Sequence, residues 1–574
     1  MEKFVLTCFL GLVCLVGSTL PAQVADSPGA DFLHRSSPSV SFGLGDTHRG
    51  GEIRSDNFTE EPAPITIYFV HRSPQAAGML TVDLWDAEMY GLESLSNHQE
   101  MEVSPVSPHI LKGLMPREER GYRLRTPSIS SPSVLRLTLD GNPVLLDYLV
   151  SPGDSISILF HEKAGLMVFA GPAADKFRLQ QQLQHLQAAS LLDTDIGLAV
   201  GSEAELQEFL DRKNNRAVWD SLSVSYGRKT RLIVTGQPEF DYMRTLDPDH
   251  WAELIRENVT HFKDKLAPEE LQAIQASALG SLYRIYLSRI ATSYKRTAKL
   301  GDTLLLKDYS DWISERLATL PDLGEAYIQS PAYRDYLMTK ASLQAEVSVA
   351  DIFETLYQSY PAKEADRLAV QYLTDWRRRL PDFEKTAIRL QEKVVSPHMQ
   401  TALLDLTGKF GKGTDLHAFA LPDRNGGSID LDDVQGKTVL MDFWITGCGA
   451  CKSFHEHIWI PLVTKYRDHP DLRIISVNAD RTPEHWKSAE PFLPFQGEYT
   501  EVHAPRNAGV NPFLEYYNIH SYPQLMLVRK DGTLFSLGQV PSSLEAAEQL
   551  LLQVLENPTV ETSPDSSTLT SPNL

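Results

Sequence analysis

Between Pro64 and Gly171 apolar and polar side chains alternate in short runs: ITIYFV, MLTVDLWD, YRLRT, VLRLTLDGNPVLLDYLV and SISILFH. A period of two is what a strand shows when one of its faces is buried. Asp140-Gly141-Asn142-Pro143 and Pro152-Gly153-Asp154 punctuate the runs as turns. The pattern predicts a small antiparallel β domain over 64–172. From Ala173 the apolar spacing changes to three and four, as in DKFRLQQQLQHLQAASLL, HWAELIRENVTHFKDKL and PEELQAIQASALGSLYRIYLSRIATSYKR. This predicts a helical region over 173–405, with Pro268 ahead of Glu269 and Glu270 as a first helical turn. Its Leu and aromatic stripes read as core.

A third pattern covers 406–557. TVLMDFW and LRIISVNAD are apolar strands, SFHEHIWIPLVTKY and PFLEYYN helices, QLMLVRKDGTLFSLG a hairpin closed at Asp531-Gly532, and LEAAEQLLLQVLE an amphipathic helix. Strand, helix, strand, helix, hairpin and helix in that order predict an α/β domain. The whole is therefore multidomain: a carboxy-terminal α/β domain preceded by a small all-β domain and an α-helical region.

The two ends read differently. MEKFVLTCFLGLVCLVGSTLPAQVAD carries one lysine, an apolar core from Phe4 to Val16 and small residues at Ala22 and Ala25. That is the layout of a secretory signal peptide over 1–22. Its core is shorter than the roughly 20 residues that span a bilayer, and no later run is long enough either. Residues 23–63 are rich in Gly, Ser and Pro and read as a disordered linker; 558–574 read as a disordered Ser/Thr/Pro tail. The expected location is the periplasm or cell envelope, without membrane insertion. A formal net charge of -21 and the absence of a basic stripe argue against nucleic acid as a partner.

Of the 4 cysteines, Cys8 and Cys14 lie in the leader, so the mature chain keeps Cys448 and Cys451 within DFWITGCGACKSF. Cys448 follows a buried strand and the turn Thr446-Gly447, which puts it at the amino end of the helix carrying Cys451. Unpaired N–H groups and the positive dipole end stabilise a thiolate there. Spacing of three brings Cys451 onto the same face, within reach of a disulfide. Cys448 is the expected nucleophile and Cys451 the resolving thiol. Asp442 stands in the preceding strand, either at a solvent-facing edge or buried. In the buried case its pKa rises and it can accept and return the Cys451 proton. Pro523, in HSYPQ ahead of the hairpin, is either a plain turn proline or a cis-proline presenting the Tyr522 backbone to an incoming chain.

With these residues in order, FALPDRNGGSIDLDDVQGKTVLMDFWITGCGACKSF and NIHSYPQLMLVRKDGTLF resemble the thioredoxin superfamily, in particular the TlpA/ResA-like envelope redoxins, over about 410–556. The resemblance implies a thioredoxin fold and thiol-disulfide exchange with protein substrates bearing disulfides, with no cofactor. It also implies that Cys448 is the nucleophile, Cys451 the resolving thiol, Asp442 the buried acid and Pro523 the cis-proline. Tyr522 and Gly447 are the expected substrate contacts, and a membrane electron donor is the expected partner. Gly447 replaces a tryptophan frequent in the family, and Ser476 stands where thioredoxin has a lysine near the buried acid.

Three rival readings compete. A zinc site would draw on His455 and His457 beside the cysteines, but His457 is rotated off the face shared by Cys451 and His455. A thiol peroxidase calls for Pro and Thr ahead of a single reactive cysteine, whereas Trp444-Ile445-Thr446-Gly447 supplies one of them. A binding or scaffold protein would use the long amino-terminal part and treat the redox domain as secondary. Two retained sulfurs argue against it.

Overall fold

The structure, a computed structural model, describes residues 61–556 apart from 73–77, 93–97, 106–118, 194, 213–214, 227–229, 325–329, 378–379, 381–382, 489–498, 506–510 and 539. The expected export segment 1–22, nearly all of the linker and the tail lie outside the described residues. The chain forms two compact units, 59–417 with 526–539 and 418–525 with 540–556.

The first unit begins with eight strands: β1 (Ala63–Arg72), β2 (Leu80–Asp86), β3 (Gln99–Val103), β4 (Glu119–Ile129), β5 (Ser133–Leu139), β6 (Asn142–Val150), β7 (Ser155–His161) and β8 (Leu166–Ala170). They make two four-stranded sheets ordered β4-β1-β7-β8 and β3-β2-β5-β6. Alternation puts Ile65, Ile67 and Phe69 of β1 and Leu80, Val82 and Leu84 of β2 into a shared core with Leu135, Leu137 and Ile158. At the β5–β6 turn Asp140 and Gly141 both take positive φ, 50° and 76°, as a two-residue type I′ hairpin requires. One expectation is corrected: β1 pairs with β7 in parallel, from Thr66 opposite Ser155 to Arg72 opposite His161. Alternation reports which face of a strand is buried and carries no information on strand direction. The chain between β1 and β7 builds the second sheet and adds β4 to the free edge of β1, and together these serve as the crossover that parallel neighbours need.

Helix α1 (Ala174–Asp193) then adds Phe177 to the β core. The region that follows is not wholly helical. IGLAV and TRLIV form the short parallel strands β9 (Ile196–Val200) and β10 (Thr230–Val234). Longer helices α2 (Pro268–Ala298), α3 (Pro331–Ser348) and α4 (Ala362–Trp376) carry the core beyond them. Helices α2 and α3 meet at Gly280, where a Cβ would stand 2.5 Å from the Tyr333 Cα. Two arginines reach back to the turn after β2. Arg334, wholly buried, donates to the carbonyls of Ala87 (2.9 Å) and Tyr90 (3.2 Å). Arg367 donates to those of Glu88 (2.8 Å) and Tyr90 (2.8 Å).

Towards the carboxy terminus a small hairpin, β11 (Ala420–Pro422) and β12 (Ser428–Asp430), precedes β13 (Thr438–Trp444), β14 (Leu472–Asn478), β15 (Tyr499–His503), β16 (Gln524–Val528) and β17 (Leu534–Leu537). The last five form one sheet ordered β15-β14-β13-β16-β17, with β13, β14 and β15 parallel and β16 antiparallel to β17. Every residue of β13 is buried, which explains its nearly unbroken apolar run. Helix α5 (Gly449–Phe454) follows β13, passes through a π-helical turn at His455–Trp459 and continues as α6 (Ile460–Tyr466). The widened turn sits just ahead of Pro461, whose ring and missing N–H disfavour a regular turn there. A closing helix, α7, spans Leu544–Glu556.

Candidate active site

Cys448 is the cap residue of α5, and Cys451 lies one turn inside it. The two are joined in a disulfide with Cα atoms 5.2 Å apart. The Cys451 backbone N–H points at the Cys448 sulfur from 3.1 Å, so the sulfur meets the donor end of the helix. Cys448 is partly exposed and Cys451 is buried. Of the two sulfurs Cys448 is therefore the accessible one, and it is the one that lies at the donor end of the helix.

Gly447 precedes the pair with φ +81°, a left-handed conformation that favours glycine. The space around a Cβ there is open. Glycine at 447 thus fits the conformation that this turn requires. The turn is anchored from below. Buried Asp480 accepts hydrogen bonds from the Thr446 backbone N–H (2.9 Å) and the Thr446 hydroxyl (2.5 Å). We expect Asp480→Ala to destabilise the unit by about 1–3 kcal/mol, by leaving these donors short of a partner. The urea midpoint reads this, and an unchanged midpoint would show that the anchor contributes nothing.

Across the gap, the Tyr522–Pro523 peptide bond is cis, and the Tyr522 carbonyl oxygen lies 3.9 Å from the Cys448 sulfur. Tyr522 also packs with Cys448 against Trp444, Cys451 and Trp486. Beside them runs an open groove of about 640 Å³ bordered by Ala450, Ser453, His457, Pro523 and Val540. Gly447, Cys448, Tyr522 and Pro523 thus meet at one mouth. Asp442 does not reach that mouth: it is fully buried in β13.

Burial leaves Asp442 in need of a partner, and the partner is His455. Its Nε2 lies 2.6 Å from Asp442 Oδ2, and it too is fully buried. The zinc reading had set His455 beside the cysteines; it faces the carboxylate instead, while His457 donates from Nδ1 to the Ser453 carbonyl (2.8 Å). Further polar groups continue the row. Ser476 sits opposite Asp442 on β14, and Glu501 opposite Ser476 on β15. The Trp444 indole N–H donates to the Ser476 hydroxyl (3.0 Å), and Arg424 pairs with buried Glu501 (2.7 Å). Burial and the nearby Glu501 carboxylate push the Tyr499 phenol far above its ordinary range. Sequence reasoning missed His455 as a partner of Asp442, and missed Asp480 and Trp486 altogether. The available signal was a histidine four residues after the second cysteine, on the same helix face.

A thioredoxin-like family model matches residues 436–534. Two curated relatives are thiol-disulfide oxidoreductases named ResA. That of Bacillus subtilis is 28% identical over 121 residues, covering 21% of this chain and 63% of the relative. That of Halalkalibacterium halodurans is 28% identical over 116 residues, covering 20% and 61%. The chain thus spans less than two thirds of either protein. Among solved structures, the thioredoxin domain of a thiol-disulfide oxidoreductase from Bacteroides vulgatus is 27% identical, covering 25% of this chain and 97% of that one, with a TM-score of 0.22. A protein assigned as the thiol:disulfide interchange protein DsbE of Chlorobium tepidum is 30% identical, covering 25% and 97%, with a TM-score of 0.21. The domain that carries Cys448 and Cys451 is a member of the thioredoxin superfamily, related in sequence to thiol-disulfide oxidoreductases.

Proposed function

We propose that the chain is an exported thiol-disulfide oxidoreductase that reduces disulfides of protein substrates in the cell envelope, fed by a membrane electron donor. The observation that carries the reading is the Cys448–Cys451 disulfide at a helix amino end with the Tyr522 carbonyl beside the outer sulfur. Reduction starts when the Cys448 thiolate attacks a substrate disulfide. A Cys448–substrate bond forms and one substrate sulfur leaves as a thiol. Cys451, having lost its proton, then attacks Cys448, closes the internal disulfide and releases the second substrate thiol. Two electrons pass from the dithiol to the substrate, and the donor must restore them.

The direction rests on electrostatics. A strong oxidant needs its thiolate held by extra positive charge. Gly449 and Ala450 bring none, and Lys452 is 63% exposed and paired with Glu456. The potential should lie nearer thioredoxin's roughly -270 mV than the roughly -120 mV of a strong oxidant. Export is supported by the leader pattern of 1–22, and among the described residues no helix is long and apolar enough to cross a membrane. The test is equilibration of the protein in dithiothreitol or glutathione buffers, with the Cys448–Cys451 pair read by alkylation. A potential above about -160 mV, towards the oxidant end of the range, would sink the reductase reading.

A further inference from the structure

We propose that His455 is a positioning residue for exchange: it holds Asp442 as a buried carboxylate–imidazole pair that takes the proton of Cys451 when this thiol attacks the mixed disulfide. The inference rests on the Cys448–Cys451 exchange argued above and adds the group that makes its second step possible. A carboxylate as buried as Asp442 needs a hydrogen-bonding partner. His455 Nε2, 2.6 Å from Asp442 Oδ2, supplies that partner, so carboxylate and imidazole form one hydrogen-bonded unit.

Placement favours Cys451 as the donor of that proton. The His455 backbone N–H bonds to the Cys451 carbonyl one turn back, so the two side chains follow each other on one helix face. Both side chains are buried, and both meet Trp444: Cys451 packs against it, and the imidazole stands edge-on to the indole with centroids 5.7 Å apart. The same protein wall thus shields thiol and pair from bulk water. Ser476, opposite Asp442 on β14, carries no charge, so the helix supplies the partner that the neighbouring strand lacks.

The step balances. The Cys451 S–H bond breaks and its proton passes to the pair. The Cys451 sulfur bonds to Cys448 as the Cys448–substrate bond breaks, and the substrate sulfur leaves as a thiolate that is protonated from solvent. When the donor opens the internal disulfide again, Cys451 leaves as the thiolate and the pair returns its proton to that sulfur. Among the described residues, few other titratable groups lie near the pair. From β15 come Tyr499, whose phenol stays protonated, and Glu501, neutralised by Arg424; from α5 come the two cysteines themselves. Lys452 and Glu456 are exposed and pair with each other.

The experiment uses the full chain carrying Cys8→Ser and Cys14→Ser, reduced and mixed with an equimolar aromatic disulfide that liberates a coloured thiolate. The first release reports attack by Cys448 and the second reports closure by Cys451. Without a first release from the parent protein, the exchange reading itself fails, independently of His455. With it, His455→Gln, which keeps an N–H for Asp442 but cannot be protonated, should slow the second release roughly a hundredfold at pH 6. The defect should shrink above about pH 8.5, where a thiol ionises unaided. The first release should change less than about twofold. Asp442→Asn should match it, and the double variant should be no slower than either, as expected of residues acting as a unit. A second release at the parental rate, a defect equal at all pH values, or additive losses in the double variant would each overturn the proposal. Urea midpoints of the oxidised variants identify any that fail to fold, and for those Asp442→Asn alone carries the test through its pH profile.

Discussion

Replacing Cys448 by Ser is expected to lower protein disulfide reduction on the order of 10³-fold or more, while Cys451→Ser stops turnover at a captured intermediate. The asymmetry follows from position. Cys448 is the partly exposed cap of α5 with the Cys451 N–H aimed at its sulfur, and Cys451 is buried a turn inside. A serine hydroxyl at 448 does not ionise near neutral pH, so the first bond to substrate never forms. With serine at 451 that bond forms and nothing displaces it. Incubation with a reducible protein such as insulin, followed by non-reducing electrophoresis, should show a mixed disulfide only for Cys451→Ser. The same bond, captured in an extract and identified by mass, names the natural substrate. Capture by Cys448→Ser instead would reverse the two roles.

The largest expected effect on stability lies in the other unit, at Arg334. Its guanidinium is wholly buried and bonded to two carbonyls of the turn after β2, and a hydrogen bond to a charged donor is worth about 1.5–3 kcal/mol. Arg334→Ala removes both bonds, leaves a void and deprives that turn of two of its four arginine hydrogen bonds, Arg367 supplying the other two. We expect a loss of about 3–5 kcal/mol, seen as an earlier unfolding transition in urea. The later chemistry at Cys448 should be unaffected in the folded fraction. A midpoint within experimental error of the parent would show that the turn is held by its own backbone.

The alternation in ITIYFV and LTVDLWD sufficed to place β1 and β2 and to say which side chains face inward, because one face of each strand is buried and the other is not. The apolar run TVLMDFW announced a strand covered on both faces. What could not be read was pairing. The parallel β1–β7 contact depends on which edges are left when the second sheet has closed, a property of the assembled domain. β15 was missed because YTEVH carries Glu501, and a carboxylate reads as surface. It is buried because Arg424, distant in sequence, neutralises it. His455 escaped for the same reason, as its partner Asp442 lies 13 residues away on another element. The cysteines were legible because their chemistry needs only a helix start, which local sequence specifies.

The groove beside Pro523 carries one titratable side chain along its walls, His457; the rest are Ala, Ser, Phe, Ile, Pro, Val and Leu. Short-range contact there cannot sort clients by charge. Long-range forces still can, because the chain as a whole bears a formal charge of -21 and slows the approach of acidic proteins in dilute buffer. Raising ionic strength to about 0.1 M confines that field to about 10 Å. Association rates for acidic and basic clients should then converge.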